Sequence, residues 1–169
     1  MLSSTAARIS IRRFAVCWRG PSVVKGCAEK GSDMAYWLIK SEPSTYSWDQ
    51  LVKEKRTSWT GVRNPQASLN LKAMKVGDRC FFYHSGEGKE IVGIAEVVKA
   101  AYADPTDKAG KAVTVDVSAV GPVKQPVTLA AIKADATFQD FKLVRQSRLS
   151  VVPVSADHWK LLMKMSGTK

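Results

Sequence analysis

The chain has 169 residues, 45% of them apolar, a formal net charge of +11 and a pI near 9.7. That length and apolar content suit one domain with a real core. The charge favours phosphate-bearing partners through counterion release, although the same balance serves plain solubility, and no run reaches the ~18 apolar residues of a membrane-spanning helix.

Residues 1–33 stand apart. They hold six basic and two acidic residues, the first acid being Glu29, which leaves +7 on residues 34–169. Over residues 1–14, hydroxyls, arginines and apolar residues without an acid match an organellar transit peptide; a disordered extension ahead of Met34 is the plainer alternative. The segment is expected to be a basic extension that packs little against the rest. A mitochondrial location follows if it is a transit peptide, a nuclear or cytoplasmic one otherwise.

From Tyr36 the pattern becomes globular. Tyr36–Lys40 reads as a short buried strand. Ser47 followed three residues later by Gln50 has the form of a capping box and predicts a helix to about Glu54. Asn64-Pro65 predicts a second helix, to about Lys75 and stopped by Gly77-Asp78, because Asn caps well and Pro fits the first helical position. Arg79–His84 is a nearly unbroken apolar strand. The turn Ser85–Gly88 joins it to a long strand, Glu90–Tyr102, as a hairpin. A loop over 104–110 precedes an alternating strand at Ala112–Val120. Thr128 caps a short helix to about Ala134, Leu149–Val154 is a last strand, and Ser155 caps a terminal helix with Trp159, Leu162 and Met163 on its apolar side. Short strands mixed with helices, without a βαβ repeat, predict an α+β fold: a small mixed or antiparallel β-barrel with peripheral helices.

The cysteines, Cys17, Cys27 and Cys80, are scattered and odd in number, which fits neither a disulfide framework nor a zinc knuckle. Cys80 reads as a small buried residue in a reducing compartment. His84 and His158 lie far apart, so no metal or cofactor is expected.

Three places gather chemistry. The first strand ends in Lys40-Ser41-Glu42-Pro43, and the apolar run Phe81–Tyr83 ends in His84-Ser85. Between them lies Trp59-Thr60-Gly61-Val62-Arg63-Asn64. Strand ends that deliver hydroxyl, amide, imidazole, guanidinium and indole groups to one place make a pocket for a flat polar ligand such as a nucleobase. Trp59, in a loop beside Arg63 and Asn64, suits a stacking platform, with core burial as the plain alternative; Trp37 and Trp48 read as structural. Ser41, Asn64 and His84 suit base-edge hydrogen bonds, and Lys40, Arg63 and Arg148 suit phosphates. Arg145 and Arg148, flanking Gln146-Ser147, are equally a solvated basic face. No nucleophile elbow, carboxylate dyad or phosphate-cradling glycine loop is present.

Tyr36–Pro43, Trp59 with Gly61–Asn64, Gly77-Asp78 leading to Phe81–Ser85, Ile91–Val97 and Arg145–Val151 together resemble the EVE domain, as in the thymocyte nuclear protein family, over about Ala35 to Met165. The resemblance implies a PUA-like fold, a small twisted barrel with a pocket at one end. It also implies kinship with the YTH domain, which holds N6-methyladenine in an aromatic cage, and a non-catalytic reader of a modified base, cytosine or adenine, in DNA or RNA. Trp59 is one cage wall by this likeness, and Tyr83, Tyr36 and Tyr46 are candidates for another. The expected ligand set is Lys40, Ser41, Trp59, Arg63, Asn64, Tyr83, His84, Ser85 and Arg148, with no catalytic residue, no cofactor, no membrane partner and a monomeric chain. The rival readings are a nucleic-acid-processing enzyme using Glu42 and His84 as acid and base, and a protein-interaction scaffold.

Overall fold

The computed structural model describes residues 34–168 apart from Glu87; the expectations for 1–33, Cys17 and Cys27 lie outside the described residues. The elements in chain order are β1 (Tyr36–Ser41), α1 (Trp48–Glu54), β2 (Arg56–Ser58), α2 (Pro65–Ala73), β3 (Arg79–His84), β4 (Glu90–Ala103), β5 (Val113–Thr128), α3 (Leu129–Ala134), a 3-10 turn (Ala136–Phe138), α4 (Lys142–Arg145), β6 (Val151–Val154) and α5 (Ala156–Met165).

Local sequence chemistry explains the helix starts. Ser47, Asn64, Thr128 and Ser155 are all N-caps, each accepting a backbone N–H three residues on at 3.1–3.2 Å. The capping box at Ser47 is only half made, because the Gln50 amide turns down its helix to Glu54 at 3.1 Å.

One six-stranded sheet runs in the order β2-β5-β4-β3-β1-β6. All neighbours are antiparallel except β1 and β3, which run parallel from Tyr36 beside Arg79 to Ser41 beside His84. The fold is α+β, and β2 and β6 are the two ends of the ladder, so it does not close through strand pairing. Helix α2 packs on both β5 and β6, and its buried Asn70 donates to Val151 O at 2.7 Å. That bond occupies a polar group of the β6 edge which burial would otherwise leave unmade.

The core is centred on Leu38, Ile39, Phe81, Phe82, Ile91, Val97 and Val117, with Cys80 fully buried among them. Burial drives the Cys80 thiol pKa far up, with Asp78 and Glu96 adding to the rise, so it stays an inert apolar group. Trp48 lies directly on Gly93, where an added Cβ would come within 2.5 Å of the indole. That contact makes Trp48 structural, and Trp37 is anchored by its indole N–H to Asp78 at 2.9 Å.

Several boundaries differ from the sequence reading. Strand β2 falls where the sequence predicts no element, because three residues show no alternation. Strand β5 continues past Gly121-Pro122 to Thr128, through register shifts that absorb the breakers. The short turns at 136–138 and 142–145 have no periodic signature.

Candidate nucleic-acid interface

Because β1 and β3 are parallel and in register, their C-terminal ends open side by side. Ser41 and Ser85 are joined there by a 2.8 Å backbone bond, Ser85 N–H to Ser41 O. Around this point lies a cleft of about 690 Å³, within the size range of small-ligand sites. Its walls come from the β1 exit (Lys40, Ser41, Glu42, Thr45, Tyr46), from β2 and the loop after it (Thr57 through Arg63), from Ser85, and from the stretch before β6 (Ser147, Arg148, Ser150).

The loop after β2 is fixed at both ends. Trp59 N–H extends the β2 ladder by donating to Val115 O at 2.8 Å. At the other end Asp104, whose side chain is 0% exposed, accepts from Gly61 N–H at 3.0 Å and from Arg63 Nη1 at 3.0 Å. Its second oxygen accepts from Thr106 N–H and Oγ1 at 2.8 and 2.6 Å. Burial alone would raise the Asp104 pKa; the bonds from Thr106, Gly61 and Arg63 outweigh it and hold the carboxyl well below its ordinary value. Gly61 sits at φ +81°, a conformation that favours glycine.

Trp59 differs from the expected open platform. It is 8% exposed and part of the core, edge-on to Phe82 at 5.6 Å and to Tyr46 at 6.4 Å. It lines the cleft with a margin of its indole. Tyr46, half-buried and tethered by its hydroxyl to Glu54 at 2.6 Å, offers the freer ring.

Lys40, Ser41, Trp59, Arg63, Ser85 and Arg148 come together around the cleft; Asn64, Tyr83 and His84 do not line it. Asn64 is spent as the α2 cap. Tyr83 is buried behind the cleft, with the Lys40 ammonium 5.9 Å from its ring centre. His84 accepts the Trp48 backbone N–H on Nε2 at 3.1 Å, satisfying a free donor at the start of α1, and packs edge-on to Phe82. An accepting Nε2 requires the neutral ring. Burial lowers the His84 pKa accordingly, against opposing pulls from Glu90 and Asp49. Glu42 borders the cleft while His84 is engaged behind it, so the acid–base pair of the enzyme reading is not assembled there. Tyr36 is remote from the cleft and stacks on Trp159 at 4.5 Å.

Lys40 donates to Ser147 O at 3.0 Å, and burial lowers its pKa to about 8. Arg63 is half-exposed but already committed to Asp104 and Thr106. Arg145 is committed to Asp140 and to Gln139 O, which leaves Arg148 as the arginine of that pair that faces the cleft. Sequence reasoning missed Asp104, Thr57, Ser58, Ser147 and Ser150 as parts of the site. Asp104-Pro105-Thr106 carries the signal of a side-chain-capped turn, yet nothing local points from it to Arg63.

The human THYN1 protein, solved in complex with DNA containing 5-methylcytosine, is 30% identical, covering 80% of this chain and 99% of that one with a TM-score of 0.71. A protein of Rhodopseudomonas palustris solved by NMR is 58% identical at a TM-score of 0.75, covering 79% of this chain and 93% of that one. Human thymocyte nuclear protein 1 is 30% identical over 178 residues, 85% of this chain and 78% of the relative. An ASCH protein of Zymomonas mobilis, 12% identical with a TM-score of 0.51, shares the fold alone. The EVE domain matches residues 35–165, and the chain belongs to that family.

Proposed function

We propose that this EVE domain binds nucleic acid and takes a single unpaired or flipped-out modified base, cytosine or adenine, into the cleft without catalysing a reaction on it. The observation that carries this reading is the cleft itself: an aromatic pair, Trp59 and Tyr46, at 88° to one another, in walls shared with Ser41, Ser85, Ser147 and Ser150 and with Lys40, Arg63 and Arg148. A flat ring can rest on the tyrosine while its edges meet hydroxyls and backbone groups. Stacking worth ~1–3 kcal/mol per base and these edge bonds offset the few kcal/mol of unstacking. The human relative's complex with 5-methylcytosine-containing DNA supports the same class of ligand. Glu42 borders the cleft while His84 accepts the Trp48 N–H outside it, which supports a binding role over acid–base chemistry. A nuclear place of action is supported by the name of the relatives.

The test is a binding screen of the full chain against matched single- and double-stranded oligonucleotides. Each carries cytosine, 5-methylcytosine, adenine or N6-methyladenine at one position. Preference for one modified base, lost in Tyr46→Ala, is expected. Equal affinity for all bases, unchanged in Tyr46→Ala, would overturn the reading.

A further inference from the structure

Beside the cleft lies a polar cluster that the base-binding reading does not use. Asp116, near the start of β5, has Ser58 of β2 opposite it on one side and Lys99 of β4 on the other. Its side chain is 9% exposed. One carboxylate oxygen accepts from Ser58 Oγ at 2.9 Å and from the Tyr102 hydroxyl at 2.7 Å; the other accepts from Arg56 Nη2 at 2.6 Å. Tyr102 also reaches Ser58 Oγ at 3.0 Å, and the Lys99 ammonium sits over its ring, 3.8 Å from the centre. A nearly buried carboxylate therefore positions two cations, Arg56 directly and Lys99 through the face of Tyr102. Arg56 keeps 54% of its side chain exposed and Lys99 is exposed. Two cations against one carboxylate leave the cluster with a net charge of +1.

The cluster is continuous with the cleft. Ser58 belongs to both, and Thr57, its neighbour on β2, lines the cleft as well. Three adjacent strands span about 10 Å at the usual strand spacing. Successive phosphates along one strand of nucleic acid advance about 3.4 Å in stacked form and more when unstacked. A row of that length accommodates the phosphates of about two or three nucleotides.

We propose that Arg56, Lys99 and Tyr102 form a second subsite that holds the backbone phosphates of the nucleotides flanking the base in the cleft, on the side where the strand leaves over β2, β5 and β4. This rests on the base-binding reading above and adds to it a direction for the strand. Cations held over a ring and against a carboxylate lose little side-chain freedom on meeting phosphate, so they favour a bound strand more than freely moving lysines do.

The test uses the full chain and two ligands with the same modified base, the free nucleoside and a single-stranded nonanucleotide carrying that base at its centre, titrated at several salt concentrations. Lys99→Gln is expected to weaken the nonanucleotide roughly three- to fivefold and to reduce its log–log salt slope by about 0.7, the value for one phosphate on a single strand. The nucleoside, which has no flanking phosphate, should bind as before, and Lys99→Arg should restore the nonanucleotide. Arg56→Gln is the second variant, with its thermal midpoint measured alongside because it also touches Asp116. Unchanged nonanucleotide binding in Lys99→Gln, or an equal loss for both ligands, overturns the subsite. If Tyr46→Ala weakens binding while Lys99→Gln does not, only the subsite falls. If the wild-type chain binds neither ligand, the base-binding reading falls and takes the subsite with it.

Discussion

Replacing Trp59 by alanine separates two roles that a cleft-lining tryptophan can have. With 8% exposed, its indole has left water almost entirely. An aromatic side chain of this size buries about 150–250 Å², and at about 25 cal/mol per Å² that burial is worth ~4–6 kcal/mol. Measured truncations of buried Trp or Phe to Ala cost ~3–5 kcal/mol. The edge contacts to Phe82 and Tyr46 disappear as well. Trp59→Ala should therefore lose about 3–5 kcal/mol in urea denaturation, and its thermal midpoint should fall by about 10–20 °C. Tyr46→Ala should behave in the opposite way. Its half-buried ring contributes less to the core, so stability should change by about 1 kcal/mol or a little more, while affinity for a modified oligonucleotide should fall by ~1–3 kcal/mol. Tyr46→Phe, which keeps the ring and gives up the hydroxyl's bond to Glu54, should retain most of that affinity. If Trp59→Ala costs less than about 1 kcal/mol, the indole is a surface platform and the packing argument is wrong.

Three further outcomes are expected. Asp104→Ala should destabilise the fold by about 3–5 kcal/mol, because it leaves Gly61 N–H, Thr106 and Arg63 without their buried acceptor, and amide exchange at Gly61 should accelerate; an unprotected Gly61 in the wild type would contradict this. His84 has its pKa lowered in the folded state, so the unfolded chain binds the extra proton. Its share of stability is complete above the ordinary value of 6.5 and is lost as pH falls through the folded pKa; His84→Gln should flatten the slope of stability against pH in that window, and an unaltered slope would show that His84 does not titrate between the two states. Lys40 titrates near 8 in the free protein, and a bound phosphate would raise that value. Affinity for an oligonucleotide should thus hold steady below pH 8 and decline by up to tenfold per unit above it, whereas Lys40→Arg should remove the decline; a wild-type profile flat to pH 9.5 would place Lys40 away from the phosphates.

What the sequence revealed follows the range of the interactions involved. Each N-cap was readable because a Ser, Thr or Asn side chain and the N–H it accepts lie three residues apart. The long apolar strands were readable because β3 is buried along most of its length. The hidden parts depend on distant partners. His84 looks like a free imidazole until α1 folds over it and offers the Trp48 N–H. Arg63 reads as a free guanidinium until Asp104, 41 residues on, engages it. Trp59 does lie in a loop; its burial is decided by the pairing of β2 with β5, which turns the indole toward Phe82. Asn64 suits both a cap and a base reader by residue type, and its Oδ1 caps α2.

The strand ladder of this small domain stops short of the segments that shape its opening. The pairing of β1 ends at Ser41 and that of β2 at Ser58, while residues 42–46 and 60–63, which follow them, border the same opening. Lengthening or rewriting either segment alters what the cleft admits without moving a rung of the sheet. Selection for a different base, in nature or in a library, therefore has two short stretches of chain on which to act, and the scaffold beneath them can stay as it is.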